Sequence, residues 1–251
     1  MHALRFGDVW LRWLSAATLL VLWQAAAGLV ASPLLPGPGA GAAALVKVIA
    51  SGRLPLDLGA TLLRVAASFV LAMAAGSAIG ILMGHNRRVD AFFDLWLVLG
   101  LNIPALVIIY LCYIWGGLTE VAAIVAVALN KVPNTATILR EGARSIDREL
   151  LQVADVLRLP WWRRLQQVYL PQLYPYLMAA TRSGLSLIWK IVLVAELVGR
   201  SNGIGFQLGV YSQFFDITDI LAYTASFIAV VLAVEGWAIR PLERRLTRWR
   251  R

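Results

Sequence analysis

The residues of this chain that could do chemistry are few, and most are charges embedded in apolar sequence. Arg64, Lys131, Arg182, Lys190 and Glu196 each sit within a long hydrophobic run. An ionisable group there is costly in hydrocarbon and tends to face a cavity or a partner. A cation in such a place can help an anion through, provided the attraction stays weak enough for the anion to leave. Arg182, Trp189, Lys190 and Glu196, with Asn102 and Pro104 upstream, are therefore candidates for lining a path. Each has a plainer reading as well. Lys190 and Glu196 could snorkel to the outer interface. Arg64 could pair with Asp57, seven residues back on the same helical face. Pro104 removes a backbone hydrogen bond, which suits either a lined cavity or a packing kink.

Covalent chemistry has no support in the sequence. It contains no Gly-x4-Gly-Lys-Ser/Thr phosphate loop, zinc-type histidine pair, Gly-x-Ser-x-Gly elbow or paired intramembrane aspartates. His2 is terminal, and His85 lies in a short loop beside Arg87 and Arg88. The one cysteine, Cys112, lies inside an apolar run and excludes a disulfide framework or a cysteine-based metal site. No catalytic residue, metal or cofactor is expected on this chain.

The elements that must position these charges are membrane helices. The chain has 251 residues, 60% hydrophobic and 15% charged, with a mean hydropathy of +0.72, and its charges cluster between long apolar runs. About 20 apolar residues cross a hydrocarbon core as a helix. Six runs qualify, near 13–31, 60–84, 92–115, 118–138, 172–197 and 220–239, in one transmembrane domain covering 1–251. The first resembles a secretory signal but is longer than a signal core, and reads as a retained anchor. The net charge of +9 follows from topology and calls for no nucleic acid. With both termini in the cytoplasm, the inside segments hold Arg5, Arg12, Arg87, Arg88, six arginines from Arg140 to Arg164 and six from Arg240 to Arg251. The outside segments hold only Lys47, Arg53 and Arg200. One missed span would reverse that imbalance.

Three local patterns stand out. Ala72, Gly76, Gly80 and Gly84 recur every four residues, a ladder for close helix approach within one subunit or at a dimer seam. The Pro- and Gly-rich stretch Pro33 to Leu58 reads as an outer loop with a short interfacial helix near Ala42 to Ala50. The inside segment 140–171 reads as a helix–turn–helix. Ser145 can cap its first helix, with Asp147 and Glu149 in the first turn. Ile146, Leu150, Val153 or Ala154, and Leu157 give that helix an apolar stripe. Pro160 opens a second helix, in which Trp161, Leu165 and Val168 oppose Arg163, Arg164 and Gln166, and Pro171 ends it. Such a basic, amphipathic hairpin could rest on lipid headgroups or dock a soluble partner.

Here the residues carry a resemblance. From Gln152 to Pro171 the hairpin is similar to the signature of inner-membrane permease subunits of bacterial ABC importers: Glu-Ala-Ala, three residues, Gly, nine residues, Ile-x-Leu-Pro. The chain has Gln152, Val153 and Ala154, then Arg158, then Val168, Leu170 and Pro171, with the spacing kept. Arg158 replaces a helix-ending Gly, so either the turn is built differently or the docking surface, with Leu159 beside it, is reshaped. Asp57, Arg64 and Phe69, then Asn102, Pro104, Trp115 and Gly116, then Trp189, Lys190, Glu196, Gly203 and Gly205, resemble the taurine, alkanesulfonate and nitrate branch. So do Glu243 and the terminal Trp249–Arg250. A frequent second Pro is Tyr110 here, and the Phe usual after the Trp is missing. The resemblance implies an all-α, type I permease fold with a cytoplasmic coupling helix–turn–helix, in the bacterial inner membrane. It implies a homodimer, a separate ATPase dimer that binds ATP and Mg, and a periplasmic or extracytoplasmic solute-binding protein. The ATPase would meet Gln152, Val153, Ala154, Arg158, Leu159, Arg163, Arg164, Leu170 and Pro171. The implied solute is a small anion, sulfonate-, taurine- or nitrate-like. An aromatic acid, a pyrimidine precursor or bicarbonate on the same scaffold, or a self-sufficient secondary transporter or channel, are the alternatives.

Overall fold

The glycine ladder sets the centre of the molecule. In a computed structural model, which describes residues 6–246, α3 (Arg53–His85) and α6 (Glu120–Arg144) pack along most of their lengths. A Cβ added at Gly80 would stand 2.3 Å from the Ala136 carbonyl oxygen, and one at Gly84 would stand 2.4 Å from the Ala143 Cβ. The ladder therefore serves packing within one subunit. His2, Arg5, Arg248, Trp249–Arg250 and Arg251 lie outside the described residues, as do the side chains of Arg12, Arg244 and Arg245.

Around this pair the described residues form only helices: α1 (Phe6–Val30), α2 (Pro38–Ala50), α4 (Arg87–Asn102), α5 (Ala105–Gly116), α7 (Arg148–Val156), α8 (Trp161–Arg164), α9 (Leu170–Gly199), α10 (Ile204–Gln213), α11 (Ile217–Val234) and α12 (Arg240–Leu246). A π-helical turn, Leu165–Tyr169, joins α8 to α9, and another, Glu235–Ile239, joins α11 to α12. Five helices are long and apolar enough to cross a bilayer: Trp13–Val30, Arg53–His85, Glu120–Arg144, Trp161–Gly199 and Ile217–Glu243. The main core gathers Val65, Ile109, Ala126, Ile188 and Val192 from α3, α5, α6 and α9. By contrast α1 sits at the margin, with Leu29 87% exposed, and is tied by Trp23 Nε1 donating to the Pro36 carbonyl at 3.0 Å.

The third span is broken where Pro104 interrupts it, and the break is larger than a packing kink: the run 92–115 forms two helices, α4 and α5, bent by 100°. The residue before a proline is pushed out of the α region. Ile103 is extended (φ −73°, ψ 125°), and α5 restarts with Pro104 as its N-cap. Span two begins seven residues early, at Arg53.

The hairpin is also built differently from the expectation. Ser145 ends α6 rather than starting α7; Asp147 caps α7, accepting from the Glu149 N–H at 2.8 Å. Asp147 is the better placed, because α6 runs on through Arg144 and leaves Ser145 no free helix start to cap. Pro171 does not end the second helix. Proline lacks the N–H owed to residue i−4, and the π turn before it re-spaces the hydrogen bonds, so the helix continues from Trp161 through Pro171 to Gly199.

Candidate functional site

Three charged regions are distributed along α9 and its N-terminal extension. At the end away from the hairpin lies a buried ion network. Arg64 of α3 is 3% exposed, and its guanidinium donates to Glu196 Oε1 at 2.6 Å, to both carboxylate oxygens of Glu120 at 2.7 Å, and to Asn202. Glu196, fully buried, also accepts from Thr61 Oγ1 at 3.0 Å and the Gly205 N–H at 2.8 Å. Asp57 accepts from the Gly203 N–H and from the Tyr223 hydroxyl, while Thr61 accepts from the Ile204 N–H. Three backbone N–H groups at the start of α10 thus end on side chains of α3 and α9, satisfying donors a helix leaves unpaired. Gly203 has φ +108°, and a Cβ there would lie 2.5 Å from the Glu196 carboxyl carbon and 2.6 Å from Arg64 Nη1. Only glycine fits. Arg200 closes the network from outside, donating to Glu120 at 2.5 Å and to the Leu118 carbonyl.

This placement overturns two plain readings. Arg64 pairs with Glu120 and Glu196, not with Asp57. Glu196 does not snorkel; it lies inside the protein with every carboxylate contact supplied. Glu120, Arg200, Asn202, Thr61 and Tyr223 escaped the sequence reading. The available signal was charge balance: Arg64 and Glu196, each in an apolar run, both demand partners.

The second region is an open cleft of about 380 Å³ between α9 and α11, continuing to the second π turn. Arg182, Ser186, Trp189 and Lys190 line it from α9, and Phe227, Val231 and Glu235 from the facing helix. Trp189 is buried and meets Phe227 edge-on, with ring centroids 5.6 Å apart. Arg182 is 54% exposed, with Glu243 at 3.5 Å and Glu235 at 4.0 Å. Lys190 is exposed on the same face. Asn102 and Pro104 lie elsewhere, exposed at the α4–α5 bend, where Asn102 Nδ2 donates to the Val98 carbonyl at 2.7 Å. Lys131 is buried between α6 and α9, donating to Asn134 and to Ser183 Oγ.

The third region is the hairpin. Its root is anchored: Ile146 packs with Leu139, Leu173 and Ala180, and the Asp147 N–H donates to Gln172 Oε1 at 2.8 Å. At its turn Arg158 takes φ +50°. The Arg158 N–H donates to the Asp155 carbonyl at 2.9 Å and the Leu159 N–H to the Ala154 carbonyl at 3.0 Å. This is the Schellman pattern that usually carries glycine, so the turn is kept and an arginine bears the left-handed strain. Arg164 bridges back to Asp155, and the Arg163 guanidinium lies 5.0 Å from the Trp162 ring centroid. Ala154 is buried, whereas Leu150, Val153, Val156, Leu157 and Trp161 are exposed. Leu150, Val153, Leu157, Leu159, Val168 and Pro171 line a groove of about 250 Å³. The stripe expected for α7 is kept: Leu150, Val153, Ala154 and Leu157 line this one groove, Ala154 buried and the other three exposed, while Ile146, just before the helix, packs into the bundle. So much exposed apolar area beside arginines marks an interaction surface.

Among the described residues no group of three or more metal-ligating side chains converges. Residues 76–246 match the family described as binding-protein-dependent transport system inner membrane component. A Bacillus subtilis protein described as an aliphatic sulfonates transport permease is 32% identical over 93% of this chain and 85% of its own. The taurine transport system permease protein of Escherichia coli is 28% identical over 93% of this chain and 87% of its own. Among solved structures, an amino acid ABC transporter crystallised with histidines matches with a TM-score of 0.64 at 18% identity, over 80% of this chain and 97% of that one, a likeness of fold.

Proposed function

Since the chain belongs to the family of inner membrane components of binding-protein-dependent transport systems, we propose that it is half of the membrane path of an ABC importer for a sulfonate-like organic anion. The chain is a transport subunit and not an enzyme. In the proposed assembly two copies pair across the membrane, with both termini in the cytoplasm. An ATPase dimer binds ATP and Mg and grips the hairpins, and an extracytoplasmic binding protein delivers the solute. The observation that carries this reading is the hairpin itself. Its tip presents Val153, Val156, Leu157, Arg158, Trp161 and Arg163 to the outside, with Arg164 half-buried and held by Asp155, while its root is packed into the bundle.

The mechanism follows from stiffness. α8, the π turn and α9 form one continuous helix, so displacement of the tip reaches the cleft and the buried network without crossing a loop. ATP-driven closure of the partner subunits would move the two tips together, and α9 would carry that motion to the path. The relatives named for aliphatic sulfonates and taurine support the choice of solute. Co-purification tests the assembly. Expressed with its ATPase and binding protein, the chain retains the ATPase through detergent purification, and removal of residues 148–164 releases it. Solute flux in vesicles containing this chain alone would mark a self-sufficient transporter instead.

A further inference from the structure

Arg182, Ser186 and Lys190 follow one another at four-residue steps on α9 and all line the same cleft. Side chains spaced this way share one helical face, and eight residues of helix span about 12 Å. A polar line therefore runs along the floor of an otherwise apolar groove walled by Leu185, Trp189, Phe227 and Val231. Its two ends differ. Arg182, nearer the hairpin, has Glu243 and Glu235 beside it, and Glu235 also meets Arg240 at 3.6 Å. Lys190, nearer the far end, makes no hydrogen bond or ion pair with any described residue. An unmatched ammonium inside a span is expensive against lipid. It becomes favourable only when water or an anion reaches it.

We propose that this line is the anion track of the path: Lys190 is the contact that admits the anionic head, and Arg182, shared with two carboxylates, is the contact that releases it. The inference rests on reading the chain as half of an anion permease, with the second copy closing the open side of the cleft. A head bound at Lys190 meets a whole positive charge. Ser186 Oγ, one turn on, can donate a neutral hydrogen bond. At Arg182 the head competes with Glu235 and Glu243, so attraction falls toward the hairpin side. That gradient gives entry without a trap. An apolar substituent on the anion would lie against Trp189 and Phe227. Lys190 is therefore a specificity-determining residue, selecting charge, and Glu196, six residues further, is not part of the track.

The test uses the complete complex, with its ATPase and binding protein, in proteoliposomes and labelled ethanesulfonate as probe, or nitrate or bicarbonate where the wild-type complex carries those instead. Lys190→Gln lowers ATP-driven uptake by roughly tenfold or more, the loss of one charge-assisted contact. Lys190→Arg keeps most of it. ATP hydrolysis stimulated by the loaded binding protein stays at the wild-type level in both, which a structural role for Lys190 would not predict. In a Cys112→Ser background, Lys190→Cys reacts with a water-soluble, anionic methanethiosulfonate, and the transported anion slows that reaction. Wild-type uptake by Lys190→Gln, or reaction only with a reagent dissolved in lipid, would overturn the track and leave the permease reading standing. A wild-type complex that carries neutral or cationic solutes and no anion would overturn both.

Discussion

Glu196 and Lys190 stand six residues apart on the same helix, and they are opposite kinds of charge in more than sign. Glu196 is fully buried, and its two oxygens accept from Arg64, Thr61 and the Gly205 N–H. Lys190 faces an open groove with no protein partner among the described residues. A buried pair with every hydrogen bond satisfied fixes geometry; it has nothing left to offer a passing ion. An exposed cation in an apolar groove fixes nothing and is free to bind. In a membrane helix a charge is free to act on a solute only where the protein itself does not already supply its partner.

The largest effect is expected at Arg64. Arg64→Met strands Glu196 as an uncompensated buried carboxylate, and breaking such a pair costs about 3–5 kcal/mol. Thermal unfolding in detergent should show this loss, with α10 the first element to become accessible to protease. Gly203→Ala comes next. It forces a methyl group into the same network at a positive φ, a strain and overpacking of about 2–4 kcal/mol by the same readout. Arg158→Gly should act in the other direction, relieving left-handed strain and raising stability by about 1 kcal/mol. Lys190→Met sharpens the contrast by doing least: removing a groove-facing charge should leave stability within about 0.5 kcal/mol of wild type. A large loss of fold from Lys190→Met, or none from Arg64→Met, would dissolve the distinction.

Much of this is legible in the sequence, and the reasons are physical. The ladder of Ala72, Gly76, Gly80 and Gly84 announces close packing because only small residues let backbones approach, although which helix it meets is a tertiary fact. The spacing from Gln152 to Pro171 locates the hairpin, and a left-handed turn is expected where the related sequences place glycine. That an arginine holds the same turn depends on the Schellman hydrogen bonds from the Arg158 and Leu159 N–H groups, which no single residue type encodes. Asp147 displaced Ser145 as the cap because the preceding helix ran further than its apolar run. Pro171 failed to stop its helix because a π turn absorbed the missing donor. The buried network stayed hidden for a related reason. Glu120 and Arg200 lie at helix ends, where charges ordinarily face water, and only folding brings them to Arg64.

Coupled transport in the proposed assembly depends on force entering at the hairpin and reaching the cleft through one continuous helix. The direct measurement is the number of solute molecules taken up per ATP hydrolysed, read in the same proteoliposomes for the wild-type complex and for Arg163→Glu with Arg164→Glu. Charge reversal at the tip should collapse that ratio while the chain remains folded and its ATPase remains active. An unchanged ratio would contradict the account.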